Sequence, residues 1–412
     1  MLDMSLICEP IAASEDTVMH VLFERKDRAF RRMLDQLLPQ LRGESYQQTE
    51  RCQRLYQSLS IGSRQRILSH PLFHHWWLSL ISWLKQGKRA RIETYLREPS
   101  RFLIIAGLRE GVWGADGLWL PVNEQGEIRF PGHPYHIDLS GEFASPPPQV
   151  WCIVHEGKVV LSHGDWSYRL PVVDLCEGNE ANSCLRRRAV LARTMIEIDS
   201  SDPVTRSTLE CINAQAPVPP YPQRDIRAVA VIDEPLLGTY NEVITLIERA
   251  WPELKEEMDK HVRLIVPFLS ALVEGWSEKQ LPGILFIRAQ PGNTLYTLEH
   301  LVHEASHTRL YAIQELVSLD TNAATDRFPS PLRKDLRPAQ GIYHAAFVQG
   351  RIIECMLRVA QTSGQAEYSQ RALEILPQFQ AALETLQSRV KLTPEGAYLL
   401  KALAARIESC TA

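Results

Sequence analysis

Leu298-Glu-His-Leu-Val-His303-Glu304-Ala-Ser-His307-Thr-Arg-Leu310 is the stretch that decides both fold and chemistry. Leu298, Leu301, Val302, Leu310 and Ile313 recur at helical spacing, and neither Gly nor Pro occurs from 294 to 328. One uninterrupted, partly buried helix is therefore expected. On it His303 and His307 lie four residues apart, so their rings stack on one face and can take two neighbouring positions on a metal. Glu304 stands about 100° round the helix from His303, an offset that lets a carboxylate act on a water beside the metal without ligating it. His300, one turn earlier, can pack against these rings or orient them. Just upstream, Gly283-Ile-Leu-Phe-Ile-Arg-Ala289 reads as a strand and Gln290-Pro-Gly-Asn293 as a turn, so the local order is strand, turn, helix.

A metal site asks for a third ligand. His344, in Gly341-Ile-Tyr-His344-Ala-Ala-Phe near the start of another apolar helix, is the favoured candidate, after enough chain for a loop and an antiparallel return. Glu354 lies nearly three turns further along that helix, so it would replace His344 rather than join it. Glu315 is two turns beyond His307, too far along the axis to share a metal. The loop Asp326–Gly341 carries Arg327, Arg333 and Arg337, and arginine beside a metal suits bidentate capture of a carboxylate.

Working outward, the chain has 412 residues, with 45 Lys plus Arg against 49 Asp plus Glu and 45% hydrophobic residues. This near-neutral balance argues against a general nucleic-acid binder, and the apolar content against disorder. No run approaches the roughly 20 apolar residues of a membrane span, and Met1–Pro10 lacks the pattern of a secretory signal. The 8 cysteines are scattered without metal-ribbon spacing. A cytoplasmic chain with free thiols is expected, with no nucleic-acid or membrane partner.

The expected class is α+β and mainly helical, in three regions: a helical N-terminal part (1–100), a β-rich middle (101–185), and a helical metal-binding core with the HExxH helix (186–412). In the first, Asp16 can cap a helix through Val21, Phe30 and Leu37, a second helix covers about 46–59, and Phe73–Leu84 reads as a buried helix on which His74 and His75 pack. In the middle, Phe102–Ala106, Leu118–Leu120, Val150–His155 and Lys158–Ser162 read as strands, with a hairpin turn at Glu156-Gly157. Gly132–His136 reads as a loop, which makes His133 and His136 structural or surface residues rather than a metal pair. Exposed-type strands here could take an added peptide strand. Leu185-Arg-Arg-Arg-Ala-Val-Leu191 reads as a basic helix start and 214–224 as a proline-stiffened linker. Asn241 can cap a helix through Ala250, Pro252 can open another running to Ile265, and the tail reads as two helices broken at Leu392-Thr-Pro-Glu395.

Three segments resemble a known family, the HExxH-motif iron(II)/2-oxoglutarate-dependent peptide β-hydroxylases that mature ribosomally made peptides. They are Leu301–His307, the stretch Pro331-Leu-Arg333-Lys-Asp-Leu-Arg337-Pro-Ala-Gln-Gly341-Ile-Tyr-His344, and Ala250-Trp-Pro-Glu through Leu264-Ile-Val-Pro-Phe-Leu269, which is similar to a helix ahead of the family's core. The second segment resembles the family's W-R-x-D-P-R-P-x-x-G-x-x-H, with Leu332 in place of its Trp and Leu336 in place of the Pro before Arg337. The resemblance implies His303, His307 and His344 as iron ligands and Arg337 or Arg333 as the residue holding 2-oxoglutarate, with dioxygen as co-reactant and a ribosomally made precursor peptide as partner. A homodimer is a further expectation. The residues by themselves leave two alternatives open. One is a zinc metallopeptidase with Glu304 as general base and His344 or Glu354 as third ligand. The other is a non-catalytic scaffold that binds a peptide.

Overall fold

The computed structural model describes residues 17–88, 92–93, 95–114, 116–179, 182–215, 224–331 and 335–411. The chain is mixed α+β and mainly helical, 55% helix against 15% strand. It parts into two compact units, 23–190 and 191–412, the latter together with 1–22.

From Phe23 the first unit holds the rest of α1 (Thr17–Leu37), then α2 (Gly43–Ser58), α3 (Ile61–Leu68) and α4 (Pro71–Lys85). Asp16, the expected cap of α1, lies outside the described residues. On α4, Phe73, Trp76, Trp77 and Leu80 are buried, and His74 sits edge-on to Trp77 with burial pushing its pKa down to about 3. His75 contacts Ser79. The expected strand at 102–106 is instead α5 (Ser100–Arg109). A short apolar run bears no period that separates a buried strand from a buried helix. The tertiary setting decides: Ser100 Oγ donates to the carbonyls of Arg97 and Trp119, fixing the first turn.

The strands β1 (Leu118–Pro121), β4 (Gln149–His155), β5 (Lys158–His163) and β6 (Trp166–Pro171) form one antiparallel sheet in the order β1-β4-β5-β6, while β2 (Glu127–Arg129), β3 (Tyr135–Asp138) and β7 (Leu185–Arg187) form another. The hairpin turn between β4 and β5 is as expected. Glu156 and Gly157 have φ of 49° and 71°, the left-handed pair that a two-residue turn requires. Two readings are corrected. His136 lies on β3 opposite Arg129 and Arg186, not in a loop, and the arginine run at 185 forms β7, not a helix. The setting explains the second: β3 supplies the hydrogen-bonding edge, Leu185 is buried, and Arg186 and Arg187 are exposed. The helical and β-rich stretches, expected as separate regions, share this unit. Gln48 on α2 joins them, accepting from the Trp119 amide (3.0 Å) and donating to the Trp119 carbonyl (3.1 Å).

The second unit holds β8 (Glu197–Ile198), α6 (Pro203–Asn213), β9 (Arg227–Ala228), α7 (Glu234–Ala250), α8 (Pro252–His261), β10 (Leu264–Leu269), β11 (Gly275–Ser277), β12 (Ile284–Arg288), α9 (Thr294–Gln314), α10 (Ala339–Ser363), α11 (Ala366–Arg389) and α12 (Pro394–Thr411). Most of the expected stiff linker, 216–223, lies outside the described residues. Asp233, not Asn241, caps α7; Asn241 is inside that helix and accepts from the Ala192 amide. The helix from Pro252 stops at His261, and 264–269 is a strand where helix was expected. Leu264-Ile-Val-Pro-Phe is buried throughout, as befits a strand with parallel neighbours on both sides, β12 and β8. Pro267 is tolerated because Asp199 N donates to the Ile265 carbonyl, so the alternate residue 267 faces the same edge just past the end of β8. The sheet order is β11-β12-β10-β8, with β9 also on β10.

α9 packs on β11 and β12 and against α10, and α10 packs on α11 and α12. One carboxylate ties three helices together. Glu257 on α8 accepts from Arg351 on α10 and lies 3.6 Å from Arg309 on α9, all of them at most 1% exposed. The tail break is as expected, with Thr393 Oγ1 accepting from the Gly396 amide at the start of α12. The described cysteines are free thiols, and burial pushes Cys52 and Cys355 up to about 12, which keeps them unreactive. Among the described residues no helix is long and apolar enough to cross a membrane.

Candidate metal centre

Asn293 starts α9 by accepting from the Tyr296 amide (3.0 Å), and the helix then buries Leu298, Leu301, Val302, Ala305, Leu310 and Ile313. Its registration fixes the histidines. His303 Nε2 and His307 Nε2 stand 3.2 Å apart. Two metal–nitrogen bonds of ~2.1 Å at tetrahedral or right angles place their donors about 3.0–3.4 Å apart, so this pair has the spacing of neighbouring ligands.

His344 joins from the first turns of α10, with its Nδ1 2.8 Å from His307 Nδ1. It thus meets the far side of the His307 ring from His303. The three rings form a row, with centroids 4.9 Å and 5.0 Å apart, rather than a converging triad. Among the described residues no three His, Cys, Asp or Glu side chains surround a common point. His344 Nε2 faces Gln314 Oε1 at 3.2 Å. As placed, His344 is the partner that fixes the His307 tautomer, a role that usually falls to a residue just outside a metal's ligands.

Burial pushes His303 and His307 down to about 3 and His344 to about 4, with the neighbouring imidazoles adding to the shift for each and Lys279 adding for His344. All three rings are therefore neutral at ordinary pH and keep a lone pair for a metal. Glu304 is 2% exposed, and burial raises it to about 8, moderated only by the Ser277 hydroxyl. Its Oε1 lies 3.9 Å from His303 Nε2, and its Oε2 has no hydrogen-bond partner among the described residues. An orphaned carboxyl oxygen is costly in a core; Glu257 Oε2 also lacks a hydrogen bond but faces Arg309, whereas among the described residues no Lys or Arg pairs with Glu304. Neutral nitrogen donors, correct pair spacing and an idle carboxyl fit a divalent transition metal.

The other expected residues are placed as follows. His300 stacks on Tyr296 (4.0 Å between ring centres), lies 3.5 Å from Glu274, and is more widely spaced from His303, at 6.4 Å between rings. Glu354 is held by Arg358 and Arg406 and is not brought to the imidazoles. Glu315 forms the C-terminal boundary of α9. Arg337 bridges to Phe328 through its backbone and pairs with Asp335 at 2.9 Å; among the described residues it makes no hydrogen bond or ion pair to the histidines or Glu304. Arg333 lies outside the described residues, as do Leu332 and Lys334. His133 and His136 are structural, the first held by Leu175 and Arg109, the second by Glu127.

Sequence reasoning missed Tyr311, whose ring lies 5.0 Å from that of His344, and Gln314. They follow His307 by four and seven residues, so helical spacing alone carried the signal. It also missed β11, whose approach to Glu304 is a tertiary fact. No family model matches the chain, and no curated protein matches it.

Proposed function

We propose that this chain is a metal-dependent enzyme acting on a ribosomally made precursor peptide, an iron(II)/2-oxoglutarate-dependent oxygenase that hydroxylates the β-carbon of one residue. The metal part of this reading is supported by one observation above the rest: two neutral imidazoles with Nε2 atoms 3.2 Å apart beside a buried carboxyl with one unpartnered oxygen. The choice of reaction follows the resemblance in the three segments around that site. His303 and His307 would hold the metal, with His344 orienting His307 from behind through its Nδ1. Bound there, iron(II) would supply the chemistry by which dioxygen and 2-oxoglutarate oxidise an unactivated C–H bond. Arg337 and Arg333 would orient the distal carboxylate of 2-oxoglutarate through paired N–H donors, Arg337 leaving Asp335 to do so. In the metal-free chain burial raises Glu304 to about 8, and a divalent cation held beside it would favour the carboxylate instead. The test is anaerobic reconstitution with iron(II), followed by 2-oxoglutarate, air and the precursor peptide. Succinate and a peptide heavier by one oxygen are expected; cleavage fragments alone would overturn the assignment.

A second reading, a zinc metallopeptidase, is favoured by Glu304 itself. A carboxylate beside His303, with one oxygen lacking a hydrogen-bond partner, is placed to take a proton from an attacking water. Glu304→Gln separates the two: it should abolish hydrolysis with metal still bound, and reduce hydroxylation only mildly.

A further inference from the structure

β11 is the free edge of the second unit's sheet, and it borders the imidazole row. Tyr296, His300 and Glu304, spaced by four on α9, each touch it or the residue before it. Tyr296 Oη donates to the Glu274 carbonyl (3.2 Å), His300 Nε2 lies 3.5 Å from the Glu274 carboxylate, and a Cβ at Gly275 would come within 3.0 Å of Glu304 Oε1. The chain beyond β11 continues past the site, since Glu278 acts on Tyr311 and Lys279 on His344 through their charges.

The direction of the backbone groups on β11 follows from the register. Arg288 N donates to the Glu274 carbonyl at 2.8 Å, so residues 274 and 276 face β12, and 275 and 277 turn their N–H and C=O outward. Among the described residues no strand pairs with that side. Gly275 and Ser277 share the face that meets Glu304, whereas Trp276 points to the other face and stacks on Phe286 at 4.4 Å. Leu269 and Leu272, just before the strand, are exposed.

We propose that β11 is the substrate-docking edge: an extended peptide segment adds to it as a further strand, its backbone bonded to Gly275 and Ser277, which carries its side chains past Glu304 and the histidines. This rests on the reading of the site as peptide-modifying and names how the peptide is held. An added strand runs about 4.8 Å from its neighbour, so a segment seated here lies alongside the carboxyl. Recognition through main-chain bonds tolerates varied sequences, with alternate side chains supplying selectivity. Gly275 has a defined part in this arrangement, because a Cβ there would stand only 3.0 Å from Glu304 Oε1 and the Phe286 carbonyl oxygen and would press on that carboxyl.

The test uses the full chain and a random dodecapeptide library, with affinity selection read by mass spectrometry. Selected peptides are then remade with single backbone N-methyl groups. Binding should weaken about tenfold for methyl groups at every second position and little at those between, as loss of one main-chain bond per site predicts. Ser277→Pro removes an outward N–H, a change that edge strands accept. It should weaken binding about tenfold, whereas Ser277→Ala, which keeps the N–H, should change it less than about threefold. Equal binding by all methylated peptides, no change in Ser277→Pro, or no selected peptide would overturn the proposal. So would a dimer in sedimentation that Ser277→Pro dissolves, since a second copy would then own the edge. Iron(II) binding is measured in parallel. Metal bound without period-two recognition sinks the edge alone, and peptide recognition without metal sinks the enzyme reading alone.

Discussion

The molecule twice brings histidines to a glutamate, with opposite outcomes. In the first unit, Glu127 lies on β2 beside His136, and His133 sits one turn of chain away. The carboxylate there has ordinary partners: His136, Arg129 and Asn123 hold Glu127 well below the usual range, and His133 bonds the Leu175 carbonyl. In the second unit, His303 and His307 face each other, and burial drives Glu304 up to about 8 with one oxygen unpartnered. The same residue types are cement in one place and idle in the other. Idle polar groups in a core are expensive. Glu257, equally buried, shows the alternative this protein uses when a carboxylate is structural, namely Arg351 and Arg309. The absence of such a partner at Glu304 is what distinguishes a candidate site from a packed histidine cluster.

Several substitutions would break or sharpen this contrast. The largest effect is expected for His307→Ala, which should weaken metal binding at least about 100-fold, while His133→Ala leaves metal binding unchanged and lowers thermal stability; equilibrium metal titration with parallel melting checks both. Next, Glu257→Ala should cost about 3–5 kcal/mol in denaturant unfolding, because it strands two buried guanidiniums, whereas Glu304→Gln should leave stability equal or higher. A loss at Glu304 as large as at Glu257 would make Glu304 structural.

The smallest effects are in the pH dependence, and their signs are opposite. Glu127 has a depressed folded pKa, so its contribution is present above the unfolded value of about 4.3 and is lost as pH falls below it. Glu127→Gln should therefore flatten the acid limb of the stability curve. Glu304 has a raised folded pKa, so in metal-stripped protein its contribution is intact below about pH 4.3 and is lost as pH rises through about 8. Glu304→Gln should flatten the decline between about pH 4.3 and 8 instead. Identical slopes in variant and parent would refute either assignment.

Local signals made much of this legible in the sequence. The HExxH helix, its strand-and-turn approach, the Glu156-Gly157 hairpin and the break at Thr393 all depend on neighbours within a few residues. The errors share a cause, since each depends on what the chain meets in space. Phe102–Ala106 and Leu264–Leu269 are short apolar runs whose form is set by packing, and Leu185–Arg187 becomes a strand because β3 offers an edge. At the site, the histidines were legible and their arrangement was not. Spacing suggested three ligands about one point, but the rings stand in a row with His344 behind His307. Nothing in the sequence announced Gly275 and Ser277 beside Glu304.

The central claim, that the imidazoles of α9 hold a catalytic metal, is tested most directly by metal analysis of anaerobically prepared protein, alone and with 2-oxoglutarate. The account predicts one equivalent of iron(II) per chain, an absorption change when 2-oxoglutarate is added, and loss of both in a His303→Ala, His307→Ala double variant. A chain that takes up no divalent metal, or a double variant that takes up as much as the parent, would contradict it.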